Sequence, residues 1–201
     1  DRKSLEVLRQ PLESGPVSIS RAANTAEFPA RFQLVAAMNP CPCGWFGDNS
    51  GRCRCTADAI ERYRGKLSGP LLDRIDIHLA MSRISHEELH LNAPLGESSA
   101  VIRERVIKAR DRQRQQSGVC NAHLSQSQLK QLCQLSDGNQ HLLDQAMNAL
   151  QLSARATDRI LRVARTIADL ADSADIETPH LTEAIQYRQL DRALAVPKRR
   201  G

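Results

Sequence analysis

The chain has 201 residues, with 28 Lys and Arg against 23 Asp and Glu, a formal net charge of +5. That length allows one large or two small domains, and so mild a positive bias suits a polyanionic partner without requiring one. Aromatic residues are only 3% of the chain, which disfavours base-stacking platforms and leaves phosphate contact as the expected mode toward nucleic acid. No stretch approaches the roughly 20 apolar residues of a membrane helix, and the opening DRKSLEVLRQ has no signal-peptide character. A cytoplasmic protein without a membrane partner is expected. Its six cysteines are then thiols or metal ligands rather than a disulfide framework.

Taken along the chain, Leu5, Leu8 and Leu12 fall at helical spacing and predict an opening helix. Apolar helical residues begin at once and no initiator Met precedes them, so the chain is expected to start inside a longer protein. Residues 17–22 and 25–28 alternate around Ala23-Asn24 and predict a β-hairpin. Residues 32–38 form a nearly continuous apolar run ending at Asn39-Pro40, the pattern of a buried strand in a parallel sheet. A glycine-rich cysteine loop follows, then the helix-like segment 70–74 and a second strand over 75–79. Beyond about residue 97 the chain becomes rich in Gln, Ala, Leu and Arg, with helices predicted at about 98–117, 125–135, 138–151 and 154–172. A fifth begins at Thr178, with Pro179 in its first turn, and runs to about Leu190. The shift in composition predicts two domains, residues 1–82 and 98–201, joined by a linker over 83–97.

The cysteines carry the strongest chemical signal. Cys41-Pro42-Cys43 and Cys53-Arg54-Cys55 are two C-x-C pairs separated by a loop containing Gly44, Gly47, Asp48, Asn49 and Gly51. Four thiolates so grouped could hold Zn²⁺ tetrahedrally and staple a loop too small for its own core. The spacing is tighter than the usual C-x₂₋₄-C knuckle, so disulfides formed on oxidation and free thiols remain alternatives. Cys120 and Cys133 stand alone in helical surroundings as small buried residues. His86-Glu87-Glu88-Leu89-His90 matches H-E-x-x-H. Pro94 ends its segment within about two turns and no third ligand follows, so these residues read as a solvated linker. His78, alone on a strand, reads as structural. The basic helix carrying Arg103, Arg105, Lys108, Arg110, Arg112 and Arg114 reads as a solvated stripe, with contact to a neighbouring subunit or to DNA as the alternative.

LRQPLESG beginning at Leu8, then VSISRAA, FPARFQLVAAMNPCPCG, RYRGKLSGPLLDRID and LSARATDRILRVARTIADL, in that order, resemble the bacterial Mg-chelatase-like AAA+ proteins of the ComM/YifB group. Those proteins belong to the AAA+ branch with an extra hairpin before the sensor-1 strand, shared with MCM helicases and magnesium-chelatase motor subunits. The resemblance implies an α/β remnant of an AAA+ core, a partial parallel sheet plus the β-hairpin, followed by an all-α lid domain. It also implies ATP and Mg²⁺ as ligands of the intact protein, a homo-hexameric ring and DNA as partner.

Residue by residue, the resemblance places Asn39 at sensor 1, where a polar side chain orients the attacking water. Arg74 becomes a finger reaching a neighbouring subunit's ATP, where such a group is worth roughly 10³–10⁵ in rate. A helix-end Arg paired with Asp73 or Asp76 is the plainer reading. Arg155 becomes sensor 2. Ser153 is the expected N-cap of its helix, and a cation in that first turn opposes the helix dipole unless something such as phosphate compensates. Arg21, near the hairpin turn, would face the ring channel and touch DNA phosphates without reading sequence, with Arg31 as a lesser helper. An exposed hairpin can equally carry Arg for solubility.

No G-x-x-x-x-G-K-S/T loop and no apolar run ending in Asp-Glu occurs among the 201 residues, so these residues by themselves are expected neither to bind ATP strongly nor to hydrolyse it. The expected activity of the intact protein is that of a ring-forming ATPase moving on DNA, with branch migration in recombination or natural transformation as its setting. The rivals are a chelatase-like motor acting on a protein or on metal insertion, and a non-enzymatic zinc module that binds nucleic acid.

Overall fold

The computed structural model describes residues 2–21, 24–48, 50–81 and 96–188. The chain divides into two compact units between Ile75 and Asp76.

The first unit opens with two short helices, α1 (Arg2–Val7) and α2 (Arg9–Ser14). Gly15, at φ +85°, ends α2 and turns the chain into the hairpin, a backbone conformation that favours glycine. β1 (Pro16–Arg21) and β2 (Asn24–Pro29) pair antiparallel, with Val17 opposite Phe28, Ile19 opposite Ala26 and Arg21 opposite Asn24. Asn24 is thus a strand residue, and the connection narrows to positions 22 and 23, which lie outside the described residues. A hydroxyl pair 3.1 Å apart, Ser20 with Thr25, adds a cross-strand contact.

Neither the run expected as a buried strand nor the one expected as a second strand is a strand. Residues 32–38 and 75–79 join no ladder, and among the described residues the hairpin is the sheet. Val35 is 86% exposed and Leu79 61%. A strand is held by a ladder of main-chain bonds to a neighbour, and among the described residues these two runs have none, the His78 amide making a single bond to the Tyr187 carbonyl. The expected partial parallel sheet is therefore absent from them, while the α/β character rests on the hairpin and its helices. Two capped helices complete this unit. Thr56 caps α3 (Ala57–Arg64) by accepting from the Ala59 amide at 3.2 Å, with Asp58 in the first turn and Arg62 and Arg64 in the last, as the helix dipole favours. Ser68 caps α4 (Gly69–Leu72), which buries Leu71.

The second unit is all-α, as the periodicity predicts. α5 (Ser99–Ser117) runs from the Ser98 cap to Gly118, a 3₁₀ turn spans Asn121–His123, and α6 (Gln126–Leu132) starts in a capping box of Ser125 and Gln128. α7 (Asp137–Leu150), α8 (Ala154–Leu170) and α9 (Thr178–Gln186) follow. Ala156, Ile160, Ala164 and Ala168 form a buried stripe on α8, small enough to admit α9 closely, and Leu124, Leu129, Leu143, Ile176 and Leu181 close the core around it. Cys133 joins that core at 5% exposure, whereas Cys120 is half-buried. Burial pushes the Cys133 thiol up to about 11, against the pull of Arg165 and Arg162.

An ionic network that periodicity does not announce is buried beside this core. Arg165 donates to Asp169 at 2.9 and 3.1 Å and to the Ser173 and Ala174 carbonyls at 2.7 Å each. Asn121 donates to the same carboxylate at 2.7 Å. Arg112 lies 3.6 Å from Asp169, pairs with Asp172 and donates to the Ser173 carbonyl at 2.9 Å. So Arg112 is not part of a solvated stripe but ties α5 to the end of α8. Arg105 makes a two-point contact with Glu97 at 2.9 Å, which holds that carboxyl below its usual range. His78 lies in an extended segment, its amide donating to the Tyr187 carbonyl at 2.9 Å.

Candidate functional site

The cysteine loop folds back on itself through local turns. The Gly44 amide donates to the Cys41 carbonyl at 3.0 Å, that of Asp48 to Trp45 at 3.2 Å, and the Asp48 carboxylate accepts from the Ser50 amide at 2.6 Å. Gly44, at φ +80°, takes a conformation other residues resist. These turns return Cys53 and Cys55 to Cys41 and Cys43, so that the four sulfurs all lie within 4.8 Å of one another.

The sulfur separations decide what this cluster can hold. Cys41 and Cys43 are 3.3 Å apart, Cys41 and Cys53 3.9 Å, Cys43 and Cys53 3.8 Å. A disulfide would require about 2.05 Å. A tetrahedral ion with metal–sulfur bonds of about 2.3 Å puts its ligands about 3.8 Å apart. Two of these three edges match a tetrathiolate cage, the Cys41–Cys43 edge is shorter, and Cys55 joins the group within 4.8 Å. Charge points the same way. Burial works against ionisation of Cys41, yet the Cys43 thiol and the amides of Phe46 and Cys43 outweigh it and lower this thiol to about 6. At Cys55 the Cys43 amide favours ionisation, but the Cys43 and Cys41 sulfurs, with burial, push the thiol up to about 12. Four sulfurs this close cannot all ionise without a cation between them.

α3 braces the loop. The Arg64 Nε donates to the Pro40 carbonyl at 3.1 Å while its guanidinium lies 4.8 Å over the Phe46 ring. Asn39 is exposed at the end of the 32–38 run, and its amide group lies 3.8 Å from where a Cβ on Gly44 would stand. The residue expected at sensor 1 thus adjoins the cysteine loop.

Arg74 is mostly covered, its side chain 10% exposed. It donates to the Pro70 carbonyl at 2.6 Å and pairs with Glu13 of α2. Glu13, 61 positions away in sequence, is a partner that local inspection of Asp73 and Asp76 misses; Asp76 instead pairs with Arg159. Arg155 is exposed in the first turn of α8, where Ser153 caps the helix by accepting from the Ala156 amide at 3.3 Å. Arg21 and Arg31 are separated. Arg21 ends β1 beside the connection, whereas Arg31 lies past the base of the hairpin, its side chain over Gly15. A six-residue strand puts about 20 Å between the two ends. His86, Glu87 and His90 lie outside the described residues.

Three ring contacts escape sequence reading altogether. Arg52 lies 4.8 Å over Trp45, Arg64 over Phe46, and Lys66 5.4 Å over Tyr63. Spacing could not announce the first two, whose partners meet only after the loop closes, whereas Lys66 meets Tyr63 locally at the end of α3. No helix among the described residues is long and apolar enough to cross a membrane.

Residues 1–89 match the family described as magnesium chelatase, subunit ChlI, and residues 96–188 match its C-terminal region. The chain is 45% identical over 194 residues to the competence protein ComM of Haemophilus influenzae, an alignment covering 96% of this chain and 38% of that protein. It is 43% identical to YifB of Escherichia coli K12 over the same shares, and 40% identical to a Mycobacterium tuberculosis protein, Rv2897c, over 92% of this chain and 37% of that one. The chain therefore spans little more than a third of the length of these relatives. With both family regions matched in order and the ComM and YifB alignments running through nearly all of it, the chain belongs to the magnesium-chelatase-like family, in the ComM/YifB group.

Proposed function

We propose that this chain is the nucleotide-sensing and track-contacting part of an ATP-driven DNA motor that works as a homo-hexameric ring in the cytoplasm, in recombination or natural transformation. One observation carries the reading: an alignment of 194 residues at 45% identity to a competence protein runs through both family regions without a break in order. In this reading Asn39 orients the attacking water, and Arg74 leaves Glu13 to meet charge developing on the γ-phosphate of a neighbouring subunit. Arg155 reports nucleotide state through α8, and Arg21 touches the DNA backbone. Mg²⁺ would neutralise phosphate charge when bound. The groups that cradle phosphate and Mg²⁺ are assigned to the longer protein, and the 201 residues alone are expected to be inactive.

The cysteine cage is assigned to Zn²⁺, because thiolate donors on tetrahedral edges suit that ion and a structural site with four protein ligands leaves no open position for catalysis. Its part is to fix the loop beside Asn39.

The test is ATP hydrolysis by the full-length protein with and without forked DNA. Stimulation by DNA that Arg21→Ala removes supports the motor. Hydrolysis indifferent to DNA, with normal forked-DNA binding by Arg21→Ala, rejects it in favour of a chelatase-like motor acting on a protein or on metal insertion. In rings mixed from wild-type and Arg74→Ala subunits, activity should fall faster than the mutant fraction; proportional loss would remove the role in trans.

A further inference from the structure

Three of the chain's six aromatic residues, Trp45, Phe46 and Tyr63, fall in the cysteine loop and α3, and each has a cation over its ring. Three such pairs are an ordinary number for 201 residues at about one per 70–80. Their confinement to residues 45–66 is not ordinary. Arg64 has a structural task, since it also holds the Pro40 carbonyl. Arg52, Arg54, Arg62 and Lys66 are exposed, and Phe46 is 43% exposed.

We propose that the cysteine loop and the C-terminal end of α3 form a docking face for single-stranded nucleic acid, with bases stacking on the Trp45–Arg52 and Phe46 planes and phosphates meeting Arg52, Arg54, Arg62 and Lys66. A guanidinium lying on an indole leaves its outer face open to a base and its edge N–H groups open to phosphate oxygens. A duplex hides its base faces, so the ring contacts select a single strand. From Arg52 to Lys66 the chain carries five cations against Asp58 and Glu61. Asp48, nearby in the loop, accepts from the Ser50 amide. A tetrathiolate zinc centre would itself be anionic. Cys41 is buried and Cys53 and Cys55 are half-buried, so of the sulfurs only Cys43 is exposed, whereas all four cations are.

The proposal adds a second contact to the DNA-motor reading and does not use Arg21. It departs from the expectation that sparse aromatics disfavour stacking, since few rings suffice when folding gathers them.

Trp45 is the chain's one tryptophan, so intrinsic fluorescence reports on this face directly. The 201-residue protein with its metal is titrated with a 12-nucleotide oligo(dT), while the anisotropy of a labelled copy reads binding independently. The expected result is saturable quenching that weakens with salt, with a duplex of equal length binding more weakly. R52A/R54A should weaken binding at least tenfold and lower the salt slope by about 1.4. Should that pair disturb the metal loop, R62A/K66A on α3 should lower the slope similarly at unchanged metal content. Quenching lost in R52A/R54A but retained in Arg21→Ala supports this face even if the hairpin reading fails. Absence of binding, binding without quenching, or binding lost only in Arg21→Ala overturns it.

Discussion

The two units are held together by different physics. The helical unit has a continuous apolar core, with Leu143, Ile160 and Leu181 at 1% exposure or less, and a buried ion network beside it. The first unit leaves Phe28, Phe32, Val35 and Met38 roughly half exposed or more and buries few large side chains. Local turns and helix caps order it, and the proposed zinc site would add a staple. A segment that buries little apolar surface cannot offset its conformational entropy by packing, so a metal staple matters most where the core is thinnest.

The difference between the units would show most visibly at the proposed zinc site, Cys41, Cys43, Cys53 and Cys55. Chelation, or Cys41→Ser, should abolish the ordered cysteine loop, read as a changed Trp45 emission and lost amide protection at 41–55, while the helical signal of α5 to α9 persists. If the helical signal collapses together with Trp45, the units are not independently stabilised. Acid should act in the same direction. Cys53 and Cys55 have raised thiols and must lose protons to ligate, so metal affinity rises with pH and metal is released as pH falls, measurable with a chromophoric competitor.

Within the helical unit, Asp169→Ala strands Arg165 at 3% side-chain exposure without its carboxylate. The expected loss is about 3–5 kcal/mol in urea unfolding, with metal content unchanged. Leu143→Ala should cost about 2–5 kcal/mol, whereas Phe28→Ala on the 52%-exposed hairpin should cost about 1 kcal/mol or less. Equal losses would mean that the hairpin is packed as well as the core. The smallest effect is Ser153→Ala, about 1 kcal/mol from loss of the α8 cap, read by thermal melting.

Much of the helical unit was legible because a 3.6-residue period and Ser caps are local. α5, α7 and α8 begin within a residue of the predicted starts, each behind a Ser that accepts from the third amide onward. The run at 32–38, expected as a buried strand, and that at 75–79, expected as a second strand, join no ladder, because apolar composition records a capacity for burial, whereas a strand also needs a main-chain ladder. Asn39, Arg74, Arg155 and Arg21 were named through family resemblance, and spacing alone would have left each an ordinary surface residue.

The sequence by itself determined the helical periodicity, the hairpin, the paired C-x-C motifs and the family. Only tertiary structure decided that the four sulfurs gather within 4.8 Å of one another, that Arg74 pairs with Glu13 and Arg112 with Asp172, and that Arg52 and Arg64 cover the Trp45 and Phe46 rings. Those are contacts between residues brought together by chain closure, and their energies depend on distances of a few ångströms that no linear spacing encodes.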